Sequence, residues 1–188
     1  MIKIGLTGSI ASGKTTASKL ISKKRGQLFS ADKIVKDLYK KKSFKKLVAK
    51  KLALPFKTDF KKKLLLQIMQ KENTLNKLEK IIHPLVRKEM FLFFKRYKNA
   101  KILFFEIPLL VESKLMKHFD TVIFIKAKKY IRLARYKKKY GDQKLFFRLD
   151  RHQIKDSKKA NLCDYIVVNN GTLKVLKKKL LNIIKSYD

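Results

Sequence analysis

Gly8-Ser9-Ile10-Ala11-Ser12-Gly13-Lys14-Thr15 spells G-x-x-x-x-G-K-T. It stands between Ile2-Lys3-Ile4-Gly5-Leu6-Thr7, which reads as a short buried strand, and a helical stretch from Lys14 to Lys24. Strand, glycine loop and helix are the three parts of a phosphate-binding P-loop, in the required order. The backbone N–H groups of such a loop turn inward to cradle phosphate oxygens, and the helix adds the positive end of its dipole. The pattern implies a bound nucleoside triphosphate.

Gly8 and Gly13 admit backbone angles and a close phosphate approach that a side chain would obstruct. Ala11, Ser12 and Gly13 form the body of the loop that is expected to bind the phosphates. Lys14 is expected to reach the β- and γ-phosphates as a mobile point charge, facing solvent when no nucleotide is bound. Thr15 is the expected magnesium ligand through its hydroxyl. Thr16 follows in the helix, where its hydroxyl serves either the α-phosphate or a local cap.

With 188 residues, 45% of them hydrophobic, the chain has enough material for one substantial core with an insertion. The single cysteine, Cys163, excludes an intrachain disulfide framework and fits a reducing compartment. It reads as a small, half-buried residue at a strand edge. No apolar run approaches the length of a membrane span, so a cytoplasmic protein with no membrane partner is expected. The net charge of +35, from 49 Lys and Arg against 14 Asp and Glu, raises affinity for nucleic acid in general. The lysines are spread along the chain and form no arm or aromatic-and-glycine sheet pattern. Nucleic acid is therefore expected only as a non-specific partner.

Five candidate strands alternate with helical segments: Ile2 to Thr7, Gln27 to Ser30, Lys101 to Glu106, Thr121 to Lys126 and Asp164 to Asn169. Most are continuous apolar runs suited to strands covered on both faces. The fold class is α/β, a five-stranded parallel sheet with right-handed crossovers. The core takes residues 1–30, 99–135 and 162–188. Between the second and third strands, residues 31–98 hold amphipathic segments such as Phe60 to Gln70 and Pro84 to Tyr97, with Pro55 and Pro84 as breaks. This predicts a helical insertion that covers the acceptor substrate. The polar, basic segment 136–161 is expected to form a lid.

Two functional classes fit these features alone: a P-loop kinase of small molecules or nucleoside monophosphates, and a basic nucleic-acid-binding protein with a P-loop element. Further segments separate them. Ile4-Gly5-Leu6-Thr7-Gly8, Ser30-Ala31-Asp32, Ile82-His83-Pro84-Leu85-Val86-Arg87, Glu106-Ile107-Pro108-Leu109-Leu110-Val111-Glu112 and Asp164-Tyr165-Ile166-Val167-Val168-Asn169-Asn170-Gly171 occur in one order. With them the chain resembles the dephospho-coenzyme A kinase family nearly from end to end. The resemblance implies a P-loop nucleotide-kinase-like fold and transfer of the ATP γ-phosphoryl group, with magnesium, to the ribose 3′-hydroxyl of dephospho-coenzyme A. Its implied partners are the small molecules ATP and dephospho-coenzyme A.

Asp32 lies just beyond the second strand, at a carboxyl end that faces the phosphate crevice of a parallel sheet. There it can accept the acceptor hydroxyl's proton, which is the family's proposed base, or cap a helix from Lys33 to Lys42. The family's usual Asp-Ala-Asp is here Ser30-Ala31-Asp32. His83-Pro84 suits a helix start, with Arg87 one turn on. By resemblance His83 and Arg87 line the acceptor site, and a structural hydrogen bond from His83 serves equally well. Glu106 ends an apolar strand and should point toward Thr15, to hold the magnesium shell or to bond Lys14. By resemblance it too belongs to the acceptor side. Glu112 reads as structural. Arg132 and Arg135 can present guanidinium groups to the transferred phosphoryl group, Arg135 being the one assigned to ATP. Gln153 matches the family's lid glutamine.

Overall fold

A computed structural model of the chain describes residues 1–56 and 59–187. Its strands are β1 (Ile2–Gly8), β2 (Gln27–Ser30), β3 (Ile102–Glu106), β4 (Thr121–Lys126) and β5 (Tyr165–Val168). The helices are α1 (Lys14–Ser22), α2 (Ala31–Lys40), α3 (Lys42–Lys51), α4 (Phe60–Gln70), α5 (Thr74–Arg96), α6 (Lys129–Tyr140), α7 (Gln143–His152), α8 (Asp156–Leu162) and α9 (Leu173–Ile184). The chain divides into two compact units, Met1–Ala31 with Lys95–Asp188, and Asp32–Phe94.

The first unit holds the sheet, a five-stranded parallel α/β arrangement in the order β2-β3-β1-β4-β5. On one face the side chains of alternate residues come together: Ile4 and Leu6 of β1, Ile102 and Phe104 of β3, Ile123 and Ile125 of β4, and Val167 of β5. Ala17 and Ile21 of α1, with Leu176, Leu180 and Ile184 of α9, close over them at intervals of one helical turn. The other face is aromatic near its β2 edge. There the Phe105 ring stands 5.7 Å from Phe29 and 5.2 Å from Phe119.

Register brings the site's residues together. Glu106 at the end of β3 stands beside Leu6 of β1 on one side and Ser30 of β2 on the other. The carboxyl ends of β2 and β3 are thus level with Leu6, just before β1 runs out into the P-loop, at the position where ligands meet an open parallel sheet. The expectation of strands covered on both faces fails for β5. Tyr165, Ile166 and Val168 are exposed and only Val167 is buried, because β5 is an edge strand with α9 on one side of it.

The second unit is helical. Phe60, Leu64 and Ile68 form the buried stripe of α4, and Phe44, Val48 and Ala49 that of α3. Pro84 breaks no element, contrary to the sequence reading: α5 runs unbroken from Thr74 to Arg96 with the proline inside it. A proline there removes one hydrogen bond to the carbonyl four residues back. Buried Leu75 before it and buried Val86 and Met90 after it hold both halves in place. His83 consequently lies mid-helix, not at a helix start. Asp32, likewise, sits in the first turn of α2 instead of capping it from outside.

Phe104 is fully buried at the heart of the sheet's packed face. Phe104→Ala is expected to lower the unfolding free energy by about 3–5 kcal/mol, as read from denaturant titration followed by circular dichroism.

Candidate active site

The P-loop runs from the end of β1 into α1. Gly8 lies so close to β4 that a Cβ there would fall 2.4 Å from the Ile125 carbonyl oxygen, and at Gly13 one would fall 2.3 Å from Asn169 Nδ2. Ala11 and Gly13 both take positive φ, 58° and 98°, on either side of Ser12. That alternation turns successive N–H groups to one side and makes an anion-binding concavity. Gly13 is the N-cap of α1 and brings no side-chain cap, and the helix's first turn has no acidic residue. The positive end of α1 is left for a ligand.

The carbonyl groups of the loop are held on the protein side. Lys14 Nζ donates to Gly8 O at 2.9 Å and Ser9 O at 3.0 Å. Arg132 Nη1 reaches Ile10 O at 3.4 Å, while Arg135 Nη1 and Asn169 Nδ2 donate to Ser12 O at 3.3 and 2.8 Å. In a trans peptide the C=O and the next N–H point in opposite directions. Fixing Ser12 O toward Arg135 and Asn169 therefore aims the Gly13 N–H away from them. The same rule accounts for Ile10, whose N–H donates to Gln153 Oε1 at 2.9 Å while Ser9 O turns to Lys14.

Lys14 does not face solvent, as its sequence position suggested; it is only 8% exposed. Its ammonium is drawn back onto two carbonyl oxygens that need a donor. Thr15 and Thr16 are exposed. Thr15 Oγ1 donates to Glu106 Oε1, and Ser30 Oγ donates to Glu106 Oε2 at 3.0 Å. Glu106 is 1% exposed, so these hydroxyls supply the partners its buried carboxylate requires. Lys14 bonds the loop carbonyls of Gly8 and Ser9. Ser30, at the neighbouring register position, thus gives Glu106 a hydroxyl donor where an aspartate would set a second carboxylate.

Three of the sequence-assigned residues belong to the helical unit. Asp32 and Arg87 are exposed and His83 is half-buried, on α2 and α5. Gly8, Ala11, Ser12, Gly13, Lys14, Thr15, Thr16, Glu106 and Arg135 belong to the sheet unit. Arg135 lies behind the loop, also donating to Asn169 O at 3.1 Å. Arg132 is buried: it meets Asp150 Oδ1 at 2.5 Å, lies 4.0 Å from Asp156 and stacks over Phe146. Its charge is balanced by these two acids, whereas the sequence offered it as a guanidinium for the transferred phosphoryl group.

Sequence reasoning missed Asn169, Ser9, Asp150 and Asp156. The polar pair ending the fifth strand, Asn169-Asn170, was the one signal for the first of them. Cys163 is half-buried, and burial, then the neighbouring Asp164, pushes its thiol up to about 11. It is no nucleophile at neutral pH. Among the described residues no cluster of three His, Cys, Asp or Glu could cage a metal, and no helix is long and apolar enough to cross a membrane.

Five parallel strands, a P-loop between β1 and α1, and an acid at the end of β3 bonded to the P-loop threonine define the class: this is a P-loop kinase. The backbone is similar to that of TT1252 from Thermus thermophilus, with a TM-score of 0.78 at 24% identity, covering 98% of this chain and 97% of that one. It is also similar to dephospho-CoA kinase from Campylobacter jejuni, with a TM-score of 0.65 at 23% identity, covering 98% of this chain and 96% of that one. A curated relative, the dephospho-CoA kinase of Bartonella henselae, is 34% identical over 189 aligned residues, 97% of this chain and 96% of its own length. The dephospho-CoA kinase family model matches residues 2–175, and the chain belongs to that family. It is an ATP-dependent kinase.

Lys14→Ala removes both ammonium bonds to the loop carbonyls together with the charge expected to reach the phosphates. Turnover is expected to fall to background, and stability to drop by about 1–3 kcal/mol, measured by thermal unfolding without nucleotide.

Proposed function

We propose that this chain transfers the γ-phosphoryl group of ATP to the ribose 3′-hydroxyl of dephospho-coenzyme A, giving coenzyme A, in the cytoplasm. The observation that carries this reading is the family match across residues 2–175. Its chemical support is a P-loop with Lys14 in place and Glu106 bonded to Thr15.

Magnesium bound with ATP would supply positive charge against the phosphate oxygens. Thr15 Oγ1 and the Glu106 carboxylate, with Ser30 Oγ beside them, are hard oxygen donors of the kind this ion takes alongside phosphates and water. Thr15 would ligate it directly and Glu106 would hold its water shell. Gly8, Ala11, Ser12 and Gly13 bind the phosphates through the loop backbone, and Lys14 leaves its two carbonyls for the β- and γ-phosphates. Thr16 reaches the α-phosphate, and Arg135 serves ATP from behind the loop, through the Ser12 carbonyl it holds.

On the acceptor side, the helical residues 31–98 take dephospho-coenzyme A, with Arg87 on its phosphates and His83 beside it. Asp32 accepts the hydroxyl proton and orients the oxygen for in-line attack. Residues 136–161 act as the lid. Catalysis by these groups is positioning and electrostatics, with no covalent intermediate. The surface lysines hold nucleic acid only without sequence preference.

Purified protein with Mg-ATP is expected to convert dephospho-coenzyme A to coenzyme A, with the new phosphate on the 3′-oxygen by NMR. Efficient phosphorylation of a nucleoside monophosphate in a parallel panel, with no coenzyme A formed, would overturn the reading. Asp32→Asn keeps the side-chain shape in an exposed first-turn position and removes the proton acceptor. Because a loose phosphoryl transition state creates little charge on the nucleophile, kcat is expected to fall about 100-fold, with ATP KM nearly unchanged. Retention of more than half the wild-type kcat, with chemistry rate-limiting, would remove Asp32 as base.

A further inference from the structure

Glu112 has no role in the chemistry above and Lys159 enters it only as part of the 136–161 segment, yet the two form an ion pair inside the sheet unit. Lys159 is fully buried, and its Nζ stands 2.6 Å from Glu112 Oε1. The contact is ionic without hydrogen-bond alignment, and Glu112 Oε2 is buried with no hydrogen-bond partner. An arrangement that desolvates both charges and leaves donors and an acceptor unmatched is a poor source of stability; an apolar pair of the same volume commonly does as well or better. Its presence asks for another account.

That account lies in what else Glu112 holds. Glu112 Oε1 accepts the Ile154 N–H at 3.2 Å. The residue before it, Gln153, accepts the Ile10 N–H of the P-loop at 2.9 Å, and Asp156 accepts the Ser9 hydroxyl. Residues 153–155, which link α7 to α8, together with Asp156 at the start of α8 therefore form a strap, bonded on its front to the Ser9-Ile10 turn and on its back to Glu112. The carbonyls of Gly8 and Ser9 are the ones that hold the Lys14 ammonium.

We propose that Glu112, held by the buried Lys159, is a positioning residue for nucleotide binding: it anchors the 153–156 strap, which fixes the Ser9-Ile10 turn and so the starting place of Lys14. The inference rests on the reading that this P-loop takes ATP.

Two double variants separate anchoring from packing. Glu112→Gln with Lys159→Met removes both charges and keeps a carbonyl oxygen for Ile154; Glu112→Leu with Lys159→Met removes that acceptor as well. ATP Kd by titration calorimetry is expected to stay within about twofold of wild type for the first and to rise about tenfold for the second, in the range of ordinary site-to-site coupling. Equal ATP affinity in the two doubles, weakened or not, would overturn the anchoring role.

A measurement on the unaltered protein stands if the Leu variant does not fold. Because coupling is reciprocal, ATP must increase hydrogen-exchange protection of the Ile154 amide along with that of Ile10. Protection gained at Ile10 alone would sink the proposal. No ATP binding by wild type at all would defeat the underlying reading, a result distinct from unaltered affinity in the variants.

Discussion

A buried carboxylate organises the centre of the sheet unit. Glu106 ends β3 level with Leu6 and Ser30, and its two oxygens are taken by hydroxyls from α1 and β2. Carboxylates buried to this degree require partners, and those partners fix where the first turn of α1 and the end of β2 must stand. The strand order does the rest. With β1 in the middle and β3 beside it, the P-loop and its acidic companion emerge side by side without any long-range adjustment.

The loop itself illustrates how a protein prepares an anion site without touching the anion. Cationic and amide side chains occupy carbonyls along it: Lys14 on Gly8 and Ser9, Arg132 on Ile10, Arg135 and Asn169 on Ser12. Each holds a peptide plane, and each plane carries an N–H on its opposite side. Residues distant in sequence, from α6 and the end of β5, thereby set the direction of the Gly13 amide at the start of α1. Preorganisation of this kind spares the nucleotide the work of ordering the loop.

Local patterns made much of this legible beforehand. The limits of β2 and β4 followed from apolar runs bounded by polar turns, and α4 from its buried residues one turn apart. The P-loop was legible because its glycines are required by contacts a side chain would violate, at Ile125 and Asn169. What escaped was whatever depends on tertiary partners. Pro84 reads as a breaker locally, and only the packing on both sides of it carries α5 through. Lys14 reads as solvated, and only the folded loop supplies the carbonyls that draw it in. The Glu112–Lys159 pair joins residues separated by a strand and several helices, and no periodicity announces it.

The composition adds a final constraint. In a chain with 49 basic and 14 acidic residues, a lysine at any position says little, whereas an acid is scarce enough for its place to be informative. The described acids of the sheet unit are found at joints. Asp120 accepts the Lys3 N–H, Asp164 the Val122 N–H, and Asp142 caps α7 through the Leu145 N–H. Asp150 and Asp156 balance Arg132, Asp156 also bonds Ser9, and Glu112 holds Lys159 and Ile154. Exposed lysines impose no comparable requirement, since a solvated ammonium satisfies its own donors with water and contributes little to stability in either direction. The surface can therefore carry an extreme charge while the fold depends on a few carboxylates whose partners are mostly backbone N–H groups and buried cations.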